Sequence, residues 1–307
     1  MGDIGTAIRR GRAWQSQTAV RAYALARSVA DRLGVQIVLK TYYSPIPDWT
    51  RLPAEVWTQR DPMRGIRFDL DAQLALLQAE LSPLLKAFAP DEQIGAQYRY
   101  TLGNPSYPIA DARLLFAMVR WLKPRSVIEL GSGQTSRVIS HACRLNAAEG
   151  QASTFRVFDP FPTAIDDGLP GLTELVRVGT QDVPEDIFAG LGSGDVLIVD
   201  TTHTVKLGSE VNRIILRLLP LLASGVYVHF HDICLPYEYP RYLYEEYALY
   251  WAEQYLLQAF LSMNPSFEVI CAVHALCRDR ADAVSEVGLG YHGETGGAFW
   301  IRPGASP

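Results

Sequence analysis

Val127-Ile128-Glu129-Leu130-Gly131-Ser132-Gly133-Gln134-Thr135-Ser136 is the stretch on which the reading of the fold turns. The run from Ser126 to Leu130 is short and mostly apolar, the pattern of a strand covered on both faces. Gly131 and Gly133 then permit a tight bend with close approach of a ligand, and the residues after them open a helix whose free amides suit an anionic group. Strand, glycine turn and helix in this order begin a parallel α/β sheet. The ligand of the turn is a narrower question. The dinucleotide fingerprint G-x-G-x-x-G requires a third glycine where Ser136 stands. Glu129, at the carboxyl end of the strand, repels a pyrophosphate but attracts an ammonium group, directly or through water.

Outward from this turn, strand and helix patterns alternate from residue 105 onward. Asp111 to Leu122 reads as an amphipathic helix stopped by Lys123 and Pro124. Thr154 to Phe158, Leu175 to Val178, Asp195 to Val199 and Gly225 to Phe230 read as further buried strands. Gly208 to Leu222 reads as a crossover helix, with Val211, Ile214, Ile215, Leu218 and Leu219 on one face. Tyr242 to Met263 reads as one long helix, followed by a strand from Phe267 to Val273. A last strand, Ala298 to Arg302, is expected to pair antiparallel with it at a sheet edge, across a long polar loop from Arg278 to Gly297.

The N-terminal third has a different texture. A helix is expected from Gln15 to Leu33, a short strand from Gln36 to Thr41, and a second helical stretch from Asp69 to Phe88 that Pro83 kinks or divides. Between them Pro45, Pro47, Pro53 and Pro62, with Trp49 and Trp57, suit an ordered irregular segment that could act as a lid. The expected organisation is an N-terminal helical and lid region over residues 1–95 and a catalytic domain over 96–307.

Composition narrows the function. Hydrophobic residues make up 48%, charged residues 20%, and the formal net charge is -5, values of an ordinary soluble globular protein rather than a disordered or fibrous one. No Lys/Arg run or basic aromatic stripe is present to neutralise a row of phosphates, so nucleic acid is not the expected partner. Every long apolar stretch is broken by charge, so no membrane span is expected, and residues 1–12 lack the apolar core of a secretory signal. Cys143, Cys234, Cys271 and Cys277 have no C-x-x-C spacing and read as buried free thiols of a reducing cytoplasm. A small-molecule substrate is expected, with a homodimer left open.

S-adenosylmethionine (AdoMet) carries an ammonium that Glu129 could attract and a carboxylate that can meet the amides around Gly131, Ser132, Gly133 and Thr135. Its adenosine extends toward the second strand, whose terminal Asp159 is placed to accept hydrogen bonds from both ribose hydroxyls; the competing reading is a turn residue before Pro160. Gln181 and Asp182, after the third strand, could meet the adenine edge, while Asp182 could equally cap the next helix.

The order of these elements resembles the class I AdoMet-dependent methyltransferases. It is closest to the branch whose fourth and fifth strands end in D-x-x-H and H-D, here Asp200-Thr-Thr-His203 and His231-Asp232. The resemblance covers roughly residues 96 to 307, with Tyr98-Arg99-Tyr100 and Asn104-Pro105-Ser106-Tyr107 also similar to that branch. It implies an α/β fold with a Rossmann-like, seven-stranded, mostly parallel sheet, helices on both faces, AdoMet across the carboxyl ends of the strands with Asp200 beside it, and an acceptor pocket at the sulfonium.

Methyl transfer is an in-line displacement, so the protein must align the reactants and take the acceptor's proton. His203 is the expected general base toward a hydroxyl, since imidazole titrates near neutrality; a structural histidine is the alternative. His231 and Asp232 sit where a switch-point cleft collects functional groups. His229 shares a strand face with His231. Asp200, His231 and Asp232 form a candidate divalent-metal set; a histidine where metal-dependent relatives usually carry a second acid favours a softer ion or none. Tyr107, Tyr237 and Tyr239 are expected to wall the site, with Tyr42 and Tyr43 as further candidates. The expected activity is O-methylation of a small, secondary-metabolite-like acceptor. Two rivals stay open: a module that holds AdoMet without spending its methyl, and, disfavoured by Glu129 and Ser136, a nicotinamide-dependent oxidoreductase.

Overall fold

The structure, a computed structural model, describes residues 17–92, 94–290 and 295–304. The chain forms two compact units, one of Met1–Val56 with Tyr242–Tyr250 and one of Trp57–Arg241 with Trp251–Pro307.

In the first unit a helix spans Gln17–Arg32; its expected start at Gln15 lies outside the described residues. Gly34, at φ +71, turns the chain out of it. The strand expected over residues 36–41 is absent. Ile37 and Val38 are exposed there, and a lone strand without a partner to take its backbone groups does not form. The Ile37 carbonyl instead accepts from the Tyr23 hydroxyl at 3.0 Å. Tyr42 and Tyr43 are both exposed and meet edge-on with centroids 5.4 Å apart.

The second unit is built on a seven-stranded sheet: β1 (Ser126–Leu130), β2 (Thr154–Phe158), β3 (Glu174–Val176), β4 (Val196–Val199), β5 (Tyr227–Phe230), β6 (Phe267–Ala272) and β7 (Phe299–Pro303). Their spatial order is β3-β2-β1-β4-β5-β7-β6. The first five are parallel; β7 pairs antiparallel with both β5 and β6. All five parallel strands that the apolar runs predict are present. Strand order reverses between β1 and β4, which makes the carboxyl ends of these two strands the switch point at which open α/β sheets bind ligands.

Helices differ from the sequence reading in instructive ways. The helix Ile109–Leu122 is nearly as expected, ended by Lys123 in the left-handed region at φ 46, which frees the chain before Pro124. The stretch expected over 69–88 divides into Leu70–Leu76, a π turn at Leu77–Leu81 and Ser82–Ala87; Pro83, lacking an amide hydrogen, forces the wider turn just before it. The crossover begins at Glu210, capped by Ser209, and also passes into a π turn, Ile214–Leu218, ahead of Pro220.

Two expectations are corrected. The long helix over 242–263 is two helices, Arg241–Glu245 and Glu253–Leu261, with Ala248 between them at φ 52, a value that no helix tolerates. The polar loop over 278–297 instead contains the end of one helix, Val273–Asp279, and all of another, Ala281–Val287. Val273, Ala275, Leu276, Val284 and Val287 supply buried contacts at helical spacing there. The β6–β7 pair at the edge is therefore antiparallel, as expected, but is linked through helices, and β7 inserts between β5 and β6. No helix among the described residues is long and apolar enough to cross a membrane.

Candidate active site

The glycine turn has a steric reason. Gly131 lies at φ +83, and a Cβ there would stand 1.8 Å from the Asp200 carbonyl oxygen, so the end of β1 and the loop after β4 touch through backbone alone. The Gly131 amide donates to Phe158 O at 2.9 Å and the Asp200 amide to Leu130 O at 3.0 Å, which ties the ends of β2, β1 and β4 together. Ser136, standing where a dinucleotide site wants glycine, serves the helix instead. Its hydroxyl accepts from the Gly133 amide at 3.1 Å and caps the helix Gln134–Ala148.

Beneath this turn Glu129 is fully buried, and neither carboxylate oxygen has a hydrogen-bond partner; the Thr135 hydroxyl is likewise buried and unpartnered. Burial pushes the Glu129 carboxyl up to about 8, with the hydroxyls of Thr135 and Ser136 opposing. A buried carboxylate without a partner is costly, and a cation brought to it relieves that cost. Asp159, at the tip of β2, accepts from the Ser132 hydroxyl and from the Phe161 amide at 2.7 Å. The turn residues and Asp159 are thus brought together.

Gln181 and Asp182 lie in the turn Thr180–Asp182 after β3, and both are exposed. Gln181 donates to Gly208 O and Glu210 Oε2, each at 3.3 Å. Glu210 also accepts from the Thr202 hydroxyl and amide, so this carboxylate, which the sequence did not single out, ties the third-strand loop to the fourth.

Asp200, His203, His231 and Asp232 converge as the motif pair implies. His203 Nε2 stands 3.6 Å from Asp200 Oδ1 and 3.4 Å from Asp232 Oδ2; His231 Nδ1 stands 3.5 and 3.4 Å from the same two atoms. Both imidazoles are buried, whereas the two aspartates are part-exposed. One ligand atom from each of Asp200, His231 and Asp232 can be chosen so that all lie within 4.8 Å of one another.

Two buried carboxylates that the sequence reading missed hold the imidazoles from behind. Glu253 Oε2 meets His203 Nδ1 at 2.8 Å, and the amides of Ala252 and Glu253 both reach the His203 carbonyl, at 2.9 and 3.2 Å. His203 and Asp232 each occupy the left-handed region at φ 55, a strained conformation for residues with side chains that surrounding contacts must enforce. Asp111 approaches His231 Nε2 at 3.6 Å. No local motif marks Glu253, which is 50 residues beyond His203 in sequence; the only signal is an acidic residue among apolar ones on a helix.

Charge dominates this cluster. Burial opposes protonation of His203, yet Asp200, Glu253 and Asp232 together raise it to about 10. His231 is also raised well above its ordinary value, against burial, by Asp232, Asp200 and Asp111. Asp200 is lowered, against burial, by His231 and His203. His229, fully buried with both nitrogens unpartnered, goes the other way: burial, with His231 adding to it, lowers it to about 3.

The aromatic expectations divide. Tyr107 is buried and packs on His231 with centroids 4.7 Å apart, supporting the cluster from the protein side. Tyr237 bonds through its hydroxyl to Asp279 and lies under the Arg278 guanidinium at 3.9 Å. Tyr239 is fully buried and accepts from the Gln254 amide at 3.1 Å. The ring against His203 is Trp251, at 4.7 Å. All four cysteines are free and buried.

Residues 128–233 match the family model of a methyltransferase domain. No curated protein matches the chain. Among solved structures, an apo-structure of CmcI is similar at 15% identity and a TM-score of 0.38, over 66% of this chain and 72% of that one. CmcI with Mg and SAM is similar at 17% identity and 0.37, over the same shares. A candidate methyltransferase from Thermobifida fusca YX is similar at 19% identity and 0.39, over 64% of this chain and 81% of that one.

Proposed function

We propose that this chain, whose residues 128–233 match the family model of a methyltransferase domain, is a class I, AdoMet-dependent methyltransferase and methylates a hydroxyl of a small-molecule acceptor. The observation that carries the reading is that three carboxylates at the switch point are prepared in two ways: Glu129 buried without a partner behind the glycine turn, and Asp200 and Asp232 part-exposed against two buried imidazoles.

Bound AdoMet would supply an electrophilic methyl on a sulfonium. The residues suited to hold it are Glu129 for the ammonium, the turn and helix-opening amides for the carboxylate, with those of Gly131 and Gly133 excepted because they already donate to Phe158 O and the Ser136 hydroxyl, and Asp159 for the ribose, whose hydroxyls would replace the Ser132 hydroxyl. Asp200, beside the turn, would contribute negative charge toward the sulfonium. In a low-dielectric cleft such fixed charges align the reactants without reorganising during the reaction.

His203 as it stands is a cation at neutral pH, held by three carboxylates, and accepts no proton. Once Asp200 and Asp232 are engaged by the acceptor, two of the three attractions on that proton weaken. Glu253 keeps Nδ1 protonated and fixed, and Nε2 then serves as base toward the acceptor hydroxyl. The donor set Asp200, His231 and Asp232 fits a divalent cation in charge and spacing, and such an ion would acidify a hydroxyl bound to it. The free thiols suit a reducing cytoplasm.

Calorimetry with AdoMet, its demethylated product and NAD tests the cofactor, and radiolabelled AdoMet offered with a panel of hydroxylated acceptors tests the reaction. Micromolar AdoMet binding with no NAD binding is expected. NAD binding in its place would end this proposal.

A further inference from the structure

The first unit carries its apolar side chains on the outside. Among the described residues up to Val56, Ala30 is the only buried one. Leu25, Val29 and Leu33 are 68, 51 and 75% exposed, and Ile37, Val38 and Tyr42 follow them into solvent. Single exposed apolar residues need no explanation, but a run of them along one element marks a surface made to be covered.

The helix Gln17–Arg32 shows how that surface is arranged. At about 3.6 residues per turn, Ala22, Leu25, Ala26 and Val29 fall on one face, and Leu33 continues the line just past the last turn. A different face carries the buried Ala30 and Tyr23, whose hydroxyl donates to the Ile37 carbonyl at 3.0 Å. Arg21 and Arg32, about three turns apart, run along one border of the apolar stripe, while Asp31 falls on the opposite side of the helix. The charge of the sequence follows the same division. Residues 1–56 contain eight basic and four acidic side chains, a net +4 in a chain of net -5, so the remainder carries -9.

We infer that this face of the first unit is a docking surface for a bilayer that contains anionic lipid, with the helix lying in the headgroup plane. An apolar stripe bordered by arginines is built for that position: the stripe enters the acyl boundary while the guanidinium groups stay with the phosphates. A tyrosine such as Tyr42 suits headgroup level, where its ring meets an apolar phase and its hydroxyl a wet one. Such a helix lies on the membrane, so it needs neither the length nor the unbroken apolarity of a span. The acidic remainder is repelled by the same surface, which confines the attraction to the first unit. A second copy is the poorer occupant. Docked antiparallel on the same stripe, it would set Arg21 against the partner's Arg32 and bring like charges together.

Sedimentation of the full chain with vesicles of phosphatidylcholine, alone or mixed with phosphatidylserine, tests this, together with its mass in solution by analytical ultracentrifugation. Binding to the mixed vesicles is expected, weaker by roughly tenfold on neutral ones and reduced by added salt. Leu25→Asp combined with Val29→Asp is expected to abolish binding, and Arg21→Glu combined with Arg32→Glu to weaken it about tenfold, both with the parent's circular dichroism. Should the aspartate pair misfold, the arginine pair, whose apolar stripe is intact, decides. Binding to neither vesicle, equal binding to both, or parental binding by the variants would overturn the inference. So would a dimer that the aspartate pair splits, since a second copy would then be what covers the stripe.

Discussion

The two sides of the switch point are prepared in opposite ways. Around the glycine turn, Glu129 and Thr135 are buried with unpartnered polar atoms, and the geometry is set by backbone: Gly131 against Asp200 O. Across the cleft, at the ends of β4 and β5, nearly every charge already faces an opposite one, and the geometry is set by side chains behind the site, Glu253 and Asp111. A side that keeps unsatisfied groups is built to gain energy from a ligand. A side whose charges already face opposite ones is built to hold those charges at fixed positions while something else changes, although His231 Nε2, Glu253 Oε1 and both His229 nitrogens are left without a hydrogen bond there. Binding should therefore reside mainly in the first and chemistry mainly in the second.

The most damaging test of this division is Gly131→Ala. The substitution combines an unfavourable φ with a Cβ driven into the Asp200 carbonyl, so roughly 3 kcal/mol or more of stability should be lost. AdoMet affinity should fall more than 100-fold wherever the protein still folds, as read by thermal melting and calorimetry. A variant that melts and binds like the parent would show that the β1–β4 contact does not shape the site.

Next in size is Glu253→Gln. It leaves an amide against His203 and removes one of the three carboxylates that hold the imidazolium, so turnover should fall about 100-fold, in the range of a lost acid–base contribution. AdoMet affinity should stay within about threefold, since Glu253 touches nothing near the glycine turn. If affinity fell as far as turnover, the two sides would not be separable. Asp159→Ala is the mirror experiment. It should cost roughly 10-fold to 50-fold in AdoMet binding, the worth of one or two charge-assisted hydrogen bonds, and equal affinity in the two proteins would remove the ribose assignment.

The legibility of the two sides differs for the same physical reason. The glycine turn is local: strand, bend and helix start occupy consecutive residues, and each constraint acts through backbone, so the pattern from Val127 to Ser136 is sufficient. The aspartates and histidines at the ends of β4 and β5 were legible because strand ends converge at a switch point. Glu253 and Asp111 were not, because each lies on a helix whose packing against the site depends on tertiary contacts 50 and more residues away. The same limit applies to the fold. Five parallel strands announce themselves by apolar runs, but the break at Ala248 and the helices between β6 and β7 depend on what the chain packs against, which periodicity does not record. The strand expected over 36–41 fails for the complementary reason, a suitable composition with nothing to pair with.

Acid–base linkage gives the smallest effects and separates the two sides by sign. His203 is raised to about 10 from an ordinary 6.5, so its ion pairs add stability in full below about 6.5 and lose it as pH rises toward 10. Glu253→Gln should flatten that alkaline loss. Glu129 is an acid raised to about 8 from 4.5; its neutral form is favoured in the folded state, so ionisation costs stability between those values, and the full cost is present above 8. Glu129→Gln removes the ionisable group while keeping its shape, and the ligand-free protein should gain roughly 1–3 kcal/mol at pH 9 and almost nothing at pH 4. In the presence of saturating AdoMet the ordering should reverse, because the parent carboxylate then has an ammonium to meet and the glutamine does not. Chemical denaturation at the two pH values, with and without AdoMet, reads all four cases. A gain at pH 9 that persists under saturating AdoMet would mean that Glu129 is a buried liability of the sheet and not the ligand's counter-charge.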